Sequence, residues 1–308
     1  MTAATARAPR SDAQLPSYRE LLTSRARQTM ARRRVVNYVM VSASYLAAVV
    51  VALPLILILV YLLKQGASSV GWSFFTKPPV PAGEPGGGMA NAMVGTLTLI
   101  AIASIVGLPI GIGAGLFLAE QRGTRTANVV RFLSDVLNGL PSIVLGIFAW
   151  QILVRPFHHY SALAGGLALG AMMIPLVTRA TEEMIRVVPI SLREAALALG
   201  YTKWRTSLSV VLRTALPGIV TGALVAVARV AGETAPLLFT AFGNQFWSFS
   251  PFKPIAALPM SIYSYAISPY DDWHRQAWAG ALVLLALVLI ISLAARFVTR
   301  AKYGLGGD

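Results

Sequence analysis

Two parts of one continuous run decide how this chain is read: Pro189-Ile-Ser-Leu-Arg-Glu-Ala-Ala-Leu-Ala-Leu-Gly200 and, beyond Pro217, Ala228-Arg-Val-Ala-Gly-Glu-Thr-Ala-Pro236. The first is polar and helix-forming. The second sits in an apolar stretch, Gly218 to Phe242, that carries one arginine and one glutamate. About 20 apolar residues cross a hydrocarbon layer as a helix, and an ionisable side chain inside such a segment faces protein or water and marks function. The polar part must then lie in a loop outside the membrane.

Composition extends this reading to the whole chain. Of the 308 residues, 56% are hydrophobic and 12% charged, against about 25% charged in a soluble domain. The formal charge of +14 would suggest nucleic acid in a soluble protein, but the Lys and Arg cluster in short segments between apolar runs, which is a signature of membrane topology. No nucleic-acid partner is expected. Membrane lipid is.

Six runs are long enough to cross a layer of about 30 Å: Val35 to Leu63, Asn91 to Ala119, Val129 to Val154, Ser161 to Ala180, Gly218 to Phe242 and Gln276 to Thr299. With the amino terminus in the cytoplasm, 20 of the 26 Lys and Arg fall on the inner side, while Lys64, Lys77, Arg155, Lys253 and Arg275 fall outside and Arg229 lies within a span. That imbalance predicts both termini in the cytoplasm. The first run is too long for a signal-peptide core and reads as a retained anchor. The fold class is all-α, integral to the membrane, with six transmembrane helices.

Residues 1–34 read as a cytoplasmic basic tail. A helix along the membrane surface, capped by Ser17 and Glu20, and a disordered continuation are both open for it. Residues 35–300 form the membrane domain, with a cytoplasmic loop over 181–213, and residues 301–308 a short cytoplasmic tail. Gly107, Gly111 and Gly115 recur every four residues and make a face on which a second helix can approach closely. A nucleotide loop is excluded there, because the stretch lies inside an apolar helix and lacks the G-x-G-x-x-G spacing. In the third span, Gly139-Leu-Pro-Ser142 reads as a hinge or a pore-lining kink, and Asp135 as a solvated carboxylate near the cytoplasmic end. A short helix near Ala256 to Ala266 is expected at the outer face, broken off from any span by Pro251, Pro254 and Pro269.

Within the polar part, Ser191 and Glu194 have the spacing of a capping box, and Leu192, Ala195, Ala196 and Leu199 form an i, i+3, i+4, i+7 stripe that stops at Gly200. The stripe reads either as a docking surface or as a face resting on the membrane or on the chain's own loops. In the apolar part, Arg229 and Glu233 are four apart and can pair on one helix face. Pro236 should open the helix beside Glu233, since its ring conflicts with the Gly232 carbonyl. A gate for an anion and a structural ion pair are both open. No G-x-x-x-x-G-K-[ST] loop, H-E-x-x-H helix or Ser-His-Asp constellation occurs, so enzyme chemistry and a cofactor are not expected, and any ATP must be bound by another subunit.

Glu194-Ala-Ala-x-x-x-Gly200 on a loop before the penultimate span resembles the EAA loop of type I ABC importer permeases. Ala228-Arg-Val-Ala-Gly-Glu-Thr-Ala-Pro-Leu-Leu-Phe-Thr-Ala241, Asn244-Gln-Phe-Trp247, Pro254-Ile-Ala and Ala277-Trp-Ala-Gly280 resemble the A-type permease subunits of phosphate-specific ABC importers. One departure stands out: Arg213 follows Val210-Val-Leu where the general pattern ends in Leu-Pro.

The resemblance implies the MetI-like permease fold, a heterodimer with a C-type phosphate permease, two ATPase subunits and an extracytoplasmic phosphate-binding protein. It implies that Glu194, Ala195, Ala196 and Gly200 couple to the ATPase and that Arg229, Glu233 and Thr234 line the phosphate pathway. Another oxyanion such as molybdate or sulfate, or a non-conducting scaffold in phosphate signalling, is the alternative.

Overall fold

The computed structural model describes residues 18–81, 83, 84 and 86–303, and the Ser17 cap lies outside them. Its helices are α1 (Tyr18–Ala67), α2 (Trp72–Thr76), α3 (Ala90–Glu120), α4 (Arg125–Gly139), α5 (Ser142–Ala149), α6 (Ala162–Val187), α7 (Ile190–Ala198), α8 (Lys203–Thr206), α9 (Leu212–Ala231), α10 (Ala235–Thr240), α11 (Leu258–Ala266) and α12 (Asp271–Tyr303). Short π turns, Trp150–Val154 and Ser207–Val211, extend α5 and join α8 to α9.

Two units divide the chain. Residues 1–61 carry most of α1, and residues 62–308 carry everything else. In the first, the side chains from Val35 to Leu53 are exposed throughout, as befits an apolar helix whose solvent is lipid.

Residues 62–308 are organised by α3 and α6. A Cβ added at Gly107, Gly111 or Gly115 would come within 3.0, 2.7 and 2.5 Å of Met173, Val177 and Thr181, so the glycine face predicted from sequence does let two backbones approach. The pairs advance together, which makes α3 and α6 parallel. Gly218 and Gly222 of α9 lie against Met184 and Ala180, in the opposite order, so α9 is antiparallel to α6. Leu99, Leu169, Met173, Val177, Val230 and Leu237 fill the core between these helices.

Among the described residues, five helices are long and apolar enough to cross a membrane: Arg32–Ala67, Ala90–Glu120, Ala162–Val187, Lys203–Ala231 and Asp271–Phe297. The third predicted span, Val129 to Val154, is a sharply bent pair of helices rather than one continuous helix. Arg125–Gly139 and Ser142–Val154 meet at 103°, because Leu140 and Pro141 both adopt extended backbone (ψ 136°). Pro141 forces its predecessor out of the helical region, and the chain turns rather than bends. Pro217, by contrast, lies inside the unbroken helix Lys203–Ala231.

The segment after α10 folds back into the bundle. The Leu258 N–H donates to Thr96 Oγ1 (2.8 Å), and Asn91 Nδ2 donates to the Asn244 carbonyl (2.8 Å). Three N–H groups at the start of α6, on Ser161, Ala162 and Leu163, donate to carbonyls of Thr240, Lys253 and Pro251, which satisfies helix-end groups that lipid could not. The predicted short helix near Ala256 to Ala266 is α11.

Candidate functional site

The polar loop builds a helix whose termini differ from the sequence reading. Its N-cap is Pro189, with no side-chain cap, so Ser191 and Glu194 already lie inside the helix and form no capping box. Proline at φ −57° and ψ 138° directs the chain into the helix without a hydroxyl. At the other end the Gly200 N–H donates to Leu197 O (3.0 Å) and the Tyr201 N–H to Ala196 O (3.1 Å), with Gly200 at φ +84°. These bonds are a Schellman cap, and only glycine adopts that backbone without strain.

Of the predicted stripe only Ala196 turns inward, where it is buried; Leu192, Ala195 and Leu199 are exposed, as is Glu194. Ile190 (71% exposed), Leu199 (81%) and Trp204 (69%) widen that apolar face. Among the described residues no loop covers it. Arg193 pairs with Glu120 at the end of α3 (2.6 Å), which pins α7 to the parallel α3/α6 core. An exposed apolar patch rimmed by charge and held on a rigid base is the kind of surface that takes a protein partner.

The apolar part opens where Pro236 implied. Helix α9 stops at Ala231 and α10 resumes at Ala235 with Pro236 in its first turn. Gly232, Glu233 and Thr234 lie between, closed by Glu233 N–H to Val230 O (3.1 Å) and Leu237 N–H to Thr234 O (3.1 Å). Because Glu233 has left the helix, the i, i+4 relation to Arg229 is lost, and among the described residues no ion pair joins them. Arg229 is exposed, and Glu233 and Thr234 are half-buried. A groove of about 550 Å³ opens beside the break, lined by Gly232, Thr234, Pro259, Tyr263 and Leu284 among others.

Sequence reasoning missed a third cluster. Helix α6 runs seven residues past its predicted end, and Glu182, 2% exposed, accepts hydrogen bonds from Arg131 of α4 (2.8 Å) and from Arg186. Asp135, read as solvated, pairs with Arg179 (3.0 Å) while staying exposed. The signal was present in the alternation Arg179, Glu182, Glu183, Arg186 at helical spacing, but a chain segment taken for loop is not tested for a helical period.

A family model described as binding-protein-dependent transport system inner membrane component matches residues 107–302. The chain belongs to this family. Permeases of the family with curated names include the phosphate transport system permease protein PstA of Xylella fastidiosa strain 9a5c, 45% identical over 86% of this chain and 93% of its own. The protein of the same name from Haemophilus influenzae is 41% identical over 88% of this chain and 96% of its own. Among solved structures, the inward-facing MetNI methionine ABC transporter aligns with a TM-score of 0.57 at 22% identity, over 69% of this chain and 96% of that one. A bacterial alginate ABC transporter in complex with its alginate pentasaccharide-bound periplasmic protein aligns at 0.60 and 13% identity, over 91% and 99%. These two likenesses carry the permease fold, as the sequence resemblance implied.

Proposed function

We propose that this chain is the membrane permease subunit of an ATP-driven inorganic phosphate importer, multi-pass in a bacterial cytoplasmic membrane with both termini in the cytoplasm. The observation that carries the reading is the identity of 41–45% with permeases named for phosphate transport, over 86–88% of the chain. The chain contributes half of the pathway and hydrolyses no ATP. A C-type phosphate permease supplies the other half, two ATPase subunits dock on Glu194, Ala195, Ala196 and the Gly200 cap, and an extracytoplasmic phosphate-binding protein delivers the solute.

Arg229, Glu233 and Thr234 form this chain's share of the pathway. An arginine at the centre of a membrane span costs about 2.5–3.5 kcal/mol on insertion scales unless water or protein solvates it, and Arg229 lies in the last turn of α9, beside the break. Exposed on α9 and without a carboxylate partner among the described residues, Arg229 is available to a passing anion. The break supplies what a continuous helix lacks, polar backbone beside an intramembrane charge, as in transport proteins whose sites sit at interrupted helices.

The test is ATP-dependent uptake of radiolabelled phosphate by proteoliposomes holding all four kinds of subunit. Uptake should vanish when this chain is omitted. Competition by molybdate or sulfate at concentrations similar to phosphate would favour a different oxyanion, and phosphate uptake without this chain would reduce it to a scaffold.

A further inference from the structure

We infer that the Arg131–Glu182 ion pair is a register clamp that makes α4 and α6 move as one body, so that displacement of α7 reaches the break at Gly232–Thr234. This inference rests on the permease reading above. Only Val188 and Pro189 separate α6 from α7, and Val188 is buried with Ile185 and Val211, so α7 cannot move without pulling the end of α6.

The contact between α4 and α6 is polar. Of the large apolar side chains of α4, Val129, Phe132, Leu133 and Val136 are exposed, while Val130 and Leu137 are half-buried beside the buried Ala127. A cavity of about 190 Å³ lined by Ser134, Asn138 and Thr178 lies beside the ion pairs. Ala127 is the one fully buried apolar side chain that α4 brings to this packing, so few interdigitated apolar groups oppose a slide of these helices.

Charge does. Arg131 meets Glu182 and Asp135 meets Arg179, an antiparallel ladder of alternating sign. Sliding α4 by one turn, about 5.4 Å, in one direction sets Arg131 against Arg186 and Asp135 against Glu182 and Glu183. The opposite slide sets Arg131 against Arg179. Either movement juxtaposes like charges and withdraws Arg131 from a buried carboxylate, leaving Glu182 with Arg186 alone, and removing a partner from a buried ion pair is destabilising.

The far end of α4 carries the motion onward. Past the 103° turn, α5 presses Gly146 against the backbone of Pro236, where an added Cβ would lie 2.7 Å from the Pro236 Cα. Pro236 is two residues beyond Thr234. A contiguous set of packed and paired elements thus joins α7, α6, α4, α5 and α10, a route along which two distant sites can be coupled.

Glu182→Gln is isosteric and removes the charge. In the reconstituted complex it should leave ATP hydrolysis within about twofold of wild type while phosphate taken up per ATP falls by about tenfold or more, as expected of a lost coupling free energy. Arg131→Gln, whose side chain reaches the surface, should do the same and carries the measurement if Glu182→Gln does not assemble. Arg131→Lys keeps the charge and should restore about half the wild-type ratio or better, the partial recovery expected of a retained ion pair without the guanidinium fork. Uptake and hydrolysis that fall in equal proportion, or a ratio unchanged in both Gln variants, would overturn the clamp. A wild-type complex that takes up no phosphate would instead overturn the functional reading on which it rests.

Discussion

Gly146 of α5 and Pro236 of α10 are in backbone contact, so close that a methyl group at position 146 would stand 2.7 Å from the Pro236 Cα. The obstacle is main chain and cannot rotate away. Gly146→Leu should force α5 off α10 and cost about 1–3 kcal/mol, the range for overpacking a filled site. It should lower phosphate uptake more than it lowers the amount of chain in the membrane. Uptake per molecule equal to wild type would show that the α5–α10 contact does not shape the pathway.

What sequence could reveal here followed from period and composition. The Gly107, Gly111 and Gly115 face, the apolar spans and the opening beside Glu233 all depend on local rules: small residues every four positions, run length, and a proline that cannot accept a preceding helical turn. Two features depended on something non-local, and a third on two local rules in conflict. Leu140-Pro141 turns by 103°, and what the turn achieves is non-local: it sets Gly146 of α5 on Pro236 of α10. Arg229 and Glu233 suit a helical pair by spacing, yet the Pro236 that opens the helix also removes Glu233 from the face on which the pairing relied. Glu182 is buried with one partner that spacing could reveal, Arg186, and one that it could not, Arg131, 51 positions earlier.

The Gly200 cap makes a local prediction. At φ +84° any residue with a Cβ is strained, by about 1–2 kcal/mol. Nothing lies within 4 Å of an added Cβ, so the cost of Gly200→Ala is conformational alone. The substitution should loosen α7 and raise hydrogen exchange at Gly200 and Tyr201, whose N–H groups close the Schellman cap, while leaving exchange in α3 unchanged. Equal exchange in variant and wild type would mean that the cap does not hold the helix end.

Glu194 and Arg193 are neighbours with different tasks. Arg193 is held by Glu120, and a partly exposed pair of this kind is worth about 0.2–1 kcal/mol. Arg193→Ala should thus leave thermal stability almost unaltered. Glu194 is exposed and has no ion-pair partner among the described residues. Glu194→Lys should leave the permease subunits assembled and weaken co-purification of the ATPase, with uptake reduced in parallel. Unaltered co-purification and uptake would remove Glu194 from the docking surface.

Arg229 separates a gate from a structural pair. Were it bound permanently to Glu233, neutralising both residues would restore the balance that neutralising one destroys, and Arg229→Gln/Glu233→Gln would recover stability and part of the uptake. The open backbone between Ala231 and Ala235 leads to the opposite expectation. Arg229→Gln should lower phosphate uptake by about tenfold or more, the loss expected when a charge-assisted contact to the solute of about 1.5–3 kcal/mol is removed, while the complex assembles and hydrolyses ATP. The double variant should recover nothing, since Glu233 is not waiting for that arginine in this conformation. Uptake regained in the double variant would mean that the two residues act as a pair.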